Sequence, residues 1–219
     1  MSFGRSKAVL LATICALVLC APAFAGTIYS QSFDQTGDAY ASQNDAGLGN
    51  FASTYDDFTV GGGNYTINEI QWTGGYFNPN QQGNITGWTI NVYFDNGGQP
   101  GAQQYTTHIS GTGNETFLGN FNGLPAYSYD VSGLNFAELS GVKYWLSVVP
   151  DLSFPPQWGW ATSGQGNGVS YQDYFGNRTQ LGADEAFTLI SGGVPEPGTF
   201  VMLGTGVLGL AGAIRRKLF

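Results

Sequence analysis

Between residues 26 and 193 no stretch of twelve residues carries a convincing helical period. Apolar and aromatic runs, mostly five to eight residues long, recur instead between clusters of Gly, Asn, Asp and Pro. Short runs bounded by turn residues are strand signals, and a helix needs a longer 3.6-residue repeat. The runs predict strands at 27–33, 55–60, 65–73, 88–94, 105–110, 116–118, 126–131, 144–149, 157–161, 168–174 and 186–190. Trp88, Ile90, Val92 and Phe94 alternate with polar residues and share one face of their strand. The run from Tyr65 to Trp72 alternates with a slip near Glu69, the pattern of a bulge. Asp95-Asn96-Gly97-Gly98 is a hairpin signal, and Leu134–Leu139 has the pattern of one helical turn. The fold expected is all-β: an antiparallel, jelly-roll-like β-sandwich.

The two ends of the chain read differently. Arg5 and Lys7 precede an apolar stretch from Ala8 to Leu19, followed by Ala23-Phe24-Ala25. This is the pattern of a secretory signal peptide over 1–25, cut by signal peptidase between Ala25 and Gly26. Both cysteines, Cys15 and Cys20, lie inside it, so the exported body has no disulfide, thiolate or Cys-ligated metal. Fourteen acids and two bases, Lys143 and Arg178, give residues 26–193 a net charge of −12. Such a body is repelled by nucleic acid, which is excluded as a partner.

Residues 194–219 form a third segment. Val194-Pro195-Glu196-Pro197 is followed by sixteen uncharged residues, Thr199 to Ile214, and then by Arg215-Arg216-Lys217. Sixteen residues make about 24 Å of helix, short for a bilayer core of about 30 Å. The basic cluster belongs on the cytoplasmic side, which predicts a single-pass precursor in the inner membrane. In this order these parts resemble the PEP-CTERM sorting signal of Gram-negative bacteria. The resemblance implies recognition by an exosortase, cleavage near the Pro-Glu-Pro, and delivery of the body to the cell surface or an exopolysaccharide-rich biofilm matrix. The body is also similar to the ectodomains of choice-of-anchor proteins. That similarity rests on Tyr55-Asp56-Asp57-Phe58-Thr59-Val60, Val92-Tyr93-Phe94-Asp95, Gly98-Gln99-Pro100-Gly101, Tyr144-Trp145-Leu146-Ser147 and Trp158-Gly159-Trp160.

Catalytic signals are weak. His108, the single histidine, sits in a strand pattern, and no Gly-x-Ser-x-Gly elbow occurs. Asp56 and Asp57 are expected on opposite faces of one strand, which argues against a joint role. Asp34, Asp38 and Asp45 crowd the segment after the first strand and are the candidate ligands of a structural calcium. No other cofactor is expected. Trp72, Tyr76, Trp158 and Trp160 lie beside polar, Pro- or Gly-rich segments and are the candidate glycan contacts. The competing reading places such rings in the sandwich core, as expected for Trp88 and Trp145. The leading expectation is a non-catalytic structural or adhesive surface protein. The alternative is a carbohydrate-binding module for the producer's exopolysaccharide, and a two-carboxylate glycoside-active enzyme ranks third.

Overall fold

Alternating apolar residues build two facing sheets. The computed structural model describes residues 26–192, in which Gly26–Ser191 forms one compact unit. The sequence expectations for Ala23, Ala25, Val194, Pro195, Glu196, Pro197, the apolar run 199–214, Arg215, Arg216 and Lys217 lie outside the described residues. The strands are β1 (Gly26–Gln31), β2 (Ala39–Ala41), β3 (Gln43–Asp45), β4 (Gly49–Thr59) and β5 (Thr66–Phe77). Next come β6 (Gly87–Asp95), β7 (Pro100–Ser110), β8 (Thr116–Phe121), β9 (Leu124–Ala137) and β10 (Lys143–Asp151). The chain continues through β11 (Gln157–Ser163), β12 (Ser170–Tyr174), β13 (Asn177–Leu181), β14 (Asp184–Glu185) and β15 (Phe187–Ser191). Leu134 to Ala137 belong to β9, so the expected helical turn there is extended strand. Its alternating burial, Leu134 and Phe136 in and Asn135 out, is that of a strand pairing with β5.

The first sheet runs β1-β15-β5-β11-β14, with β9 beside β5, β8 beside β9 and β2 beside β11. The second runs β13-β12-β4-β3-β10-β6-β7. Pairing is antiparallel apart from a single parallel bridge between β3 and β10. The bulge expected near Glu69 is present: β5 shifts register against β9 between Ile67 and Glu69. The Asp95–Gly98 turn closes the β6–β7 hairpin, with Asn96 N–H donating to Gln99 O and Gly98 N–H to Asp95 Oδ2. Gly97 and Gly98 both have positive φ there, a conformation that side chains resist.

Both sheets contribute to one core. Ile67, Ile70, Trp72 and Tyr76 of β5 and Trp158 and Trp160 of β11 face Trp88, Ile90 and Val92 of β6 and Leu146 and Val148 of β10. Trp88 meets three rings of the opposite sheet edge-on: Trp72 at 4.7 Å, Tyr129 at 4.8 Å and Trp158 at 5.0 Å. Each such ring buries about 150–250 Å² and edge-to-face pairs add about 0.5–1.5 kcal/mol, so a body without disulfides is held by this stack.

Candidate functional site

The four expected glycan contacts are core residues. Trp72 is 2 % exposed, and Tyr76, Trp158 and Trp160 are 0 % exposed. Trp158 and Trp160 do share a face, as their spacing requires, but that face points inward. Trp158 Nε1 donates to Tyr129 Oη and Trp160 Nε1 to the Ala186 carbonyl. Tyr76 and Tyr129 both donate to the Glu115 carboxylate, which also takes a bond from Gln82 Nε2. The polar tips of Tyr76, Trp158 and Trp160 are thus satisfied internally, whereas Trp72 Nε1 is buried without a hydrogen-bond partner. No ring surface on them is open to a sugar.

The expected calcium trio does not converge. Asp45 accepts from the backbone N–H groups of Gly47, Leu48 and Phe154. These bonds, from Phe154 and Leu48 above all, hold its carboxyl below the ordinary carboxylate range. Asp34 instead accepts from Thr36 N–H and Oγ1 and from Thr162 Oγ1. Among the described residues no three His, Cys, Asp or Glu side chains come together as a metal would require.

A different polar constellation crosses the second sheet. His108 on β7 lies 2.7 Å by its Nε2 from Asp151 Oδ2 on β10, and Asn44 Nδ2 on β3 donates to Asp151 Oδ1 at 2.7 Å. Gly87 of β6 makes this row possible: a Cβ there would sit 2.7 Å from the His108 ring and 2.8 Å from Asp151 Oδ2. Burial pushes the Asp151 carboxyl up, but the Asn44 and His108 bonds outweigh it and hold the group below its ordinary value. Beside the row opens a cavity of about 530 Å³ lined by Asn44, Asn84, Thr86, Asp151, Ser153 and the apolar Pro155–Pro156 wall. The ring of Phe154, 47 % exposed, stands next in the chain to that wall. Three segments meet here: the end of β3, the β5–β6 loop and the β10–β11 loop. A second, smaller cavity of about 310 Å³ lies on the first sheet, lined by Ser30, Gln71, Thr73, Ser128, Asp130 and Thr188 among others.

In the sequence His108 has the pattern of an ordinary strand residue, and no motif marks Asp151. Its partners lie 43 and 107 residues away along the chain, beyond the reach of any local pattern.

A third group is buried rather than accessible. Asp56 and Asp57 point to opposite faces, as expected of neighbours on a strand. Asp57 meets Lys143 Nζ and Asn167 Nδ2, and Asp56 Oδ2 accepts from Glu185 N–H. Burial first, and then neighbouring carboxylates, push Asp56 and Glu185 well above their ordinary values. These carboxylates are sealed between strands.

Comparison with known proteins bears on the tail. Residues 193–217 match the PEP-CTERM protein-sorting motif. No curated protein matches the chain. Among solved structures, similarity is found to the cysteine protease and lectin-like domains of Cwp84, a surface layer associated protein of Clostridium difficile. Identity is 7 % and the TM-score 0.41, over 65 % of this chain and 32 % of that one. The chain thus spans about a third of that structure's length.

Proposed function

We propose that this chain is an exported surface or matrix protein whose body is handed over by an exosortase acting on its tail. The observation that carries the reading is the sorting motif at 193–217. The amino-terminal pattern, with Ala23-Phe24-Ala25 before Gly26, supports export, because a chain with both signals crosses the inner membrane and halts at Arg215-Arg216-Lys217. The body then faces the outside as a non-catalytic structural or adhesive sandwich in an exopolysaccharide matrix. A disulfide-free, acidic and densely packed aromatic fold suits that place, since it needs no oxidising partner and repels its own copies.

The test expresses the full chain in a bacterium that carries an exosortase, beside a variant with Pro195, Glu196 and Pro197 all replaced by Ala. The expected outcome is a shortened product outside the inner membrane for the natural chain. The variant is expected to accumulate at precursor mass in the membrane fraction. Equal processing and location of the two proteins would sink the reading.

A further inference from the structure

We propose that the cavity beside the His108–Asp151–Asn44 row is a binding site for a neutral saccharide, with Asp151 as its central acceptor and Leu152, Pro155 and Pro156 as its apolar wall. The proposal builds on the extracellular placement argued above but uses none of the aromatic residues singled out in the sequence. Its chemistry is read from the lining. A volume of about 530 Å³ falls within the 300–1,000 Å³ usual for small-molecule sites. Hydroxyl-rich ligands need short acceptors and donors fixed in space, together with a flat apolar surface for the C–H face of the ring. Asp151 is fixed in that way: Asn44 and His108 each hold one oxygen at 2.7 Å. An ionised carboxylate has about four lone-pair sites, so two stay available to ligand hydroxyls. Asn84, Thr86 and Ser153 add an amide and two hydroxyls around the opening. Leu152, Pro155 and Pro156 supply the apolar wall.

The space is carved by glycine. A Cβ on Gly83 would lie 2.7 Å from Leu152 and 2.9 Å from Pro156, and one on Gly87 would collide with the polar row. Two loops can therefore approach only because both positions lack a side chain.

Charge selects the ligand class. The body's two Lys/Arg side chains are both engaged elsewhere: Lys143 with Asp57, and Arg178 with Asp173 and the Pro100 carbonyl. A phosphate, nucleotide or uronate would meet a net charge of −12 with no free Lys or Arg to receive it. A neutral, polyhydroxylated ligand meets neither obstacle.

The experiment uses the full chain in a non-sugar detergent, probed on an array of neutral gluco-, galacto- and manno-oligosaccharides with oligouronates alongside. Affinity for hits is then measured by calorimetry for the natural chain and for Asp151→Asn, Asn84→Ala and Asp130→Asn. Asp130 lines the other cavity, and Asn84 lines this one from an exposed position, so its variant keeps the fold even if Asp151→Asn disturbs the row. Circular dichroism checks folding in each case. The expected result is saturable binding to at least one neutral oligosaccharide, weakened tenfold or more by Asp151→Asn and by Asn84→Ala and unchanged by Asp130→Asn. Binding to no neutral oligosaccharide, binding only to oligouronates, or binding insensitive to Asn84→Ala would each overturn the site. None of these outcomes bears on tail processing, which the Pro-Glu-Pro variant tests separately.

Discussion

Glu185 shows how one side chain can set the pH response of the fold. It is wholly buried, its Oε1 lies 3.4 Å from Ser170 Oγ, and its Oε2 has no hydrogen-bond partner. Burial is the chief force raising its pKa, and the neighbouring Asp56, Asp184 and Asp34 charges add to it. The fold therefore binds this proton more tightly than the unfolded chain does, where the value is about 4.3. Below that pH the group is protonated in both states and its titration costs nothing. As pH rises from about 4.3 towards the folded value, stability drains away at up to about 1.4 kcal/mol per pH unit. Glu185→Gln keeps the shape and a donor but removes the titration. The variant is expected to be more stable than the natural chain at pH 7.5, with a higher Tm. At pH 4 the gain should vanish. Calorimetric melts at the two pH values decide it, and a variant less stable at both would show that the carboxyl is needed as such. Nothing in the local sequence Ala183-Asp184-Glu185-Ala186 announces this burial, because a two-acid stretch reads as a solvated turn.

At the scale of elements, the packing of β5 against β11 depends on a glycine that lets a large ring approach. A Cβ on Gly74 would lie 2.1 Å from the Trp158 ring and 2.7 Å from the Gly159 carbonyl. Gly74→Ala is therefore expected to cost about 1–3 kcal/mol, the usual penalty for overpacking. Gly61→Ala, with nothing within 4 Å, should be near neutral. Urea unfolding of both variants measures the contrast, and equal midpoints would mean that β5 and β11 separate freely at this point. The strands carrying strong alternation, such as the Trp88–Phe94 run inside β6, were legible because their periodicity reflects which face is buried. The short β2 and β3 were not. Ala-Tyr-Ala and Gln-Asn-Asp have no pattern of their own and become strands because β11, β4 and β10 pair with them. β13, Asn-Arg-Thr-Gln-Leu, is a solvent-exposed edge held by β12, so it carries little apolar signal. Period two puts the indoles at 158 and 160 on one face but cannot say whether that face looks in or out. The polar row at Asp151 was illegible for a different reason: its members come from three strands that only the finished sheet brings side by side.

For the molecule as a whole the dominant long-range force is self-repulsion, since fourteen acids face two bases between residues 26 and 193. Surface repulsion of this kind is screened within about 30 Å at 0.01 M salt and about 10 Å at 0.1 M. The full chain should therefore melt higher as sodium chloride rises from 10 to 200 mM and change little beyond. A divalent cation will screen more strongly, so the informative comparison is calcium against magnesium at equal ionic strength. Calcium alone favours irregular cages of six to eight oxygens, and a specific site would separate the two ions. The fold spends the expected ligands elsewhere: Asp45 on three backbone amides, Asp34 on Thr36 and Thr162. The two ions are thus expected to raise Tm equally. A rise specific to calcium, saturating at millimolar concentration and lost in Asp34→Asn, would show that the β1–β2 segment rearranges around the ion and would reinstate the site read from the sequence. Equal curves would leave the stability of this exported body resting on its buried aromatic stack and on screening alone.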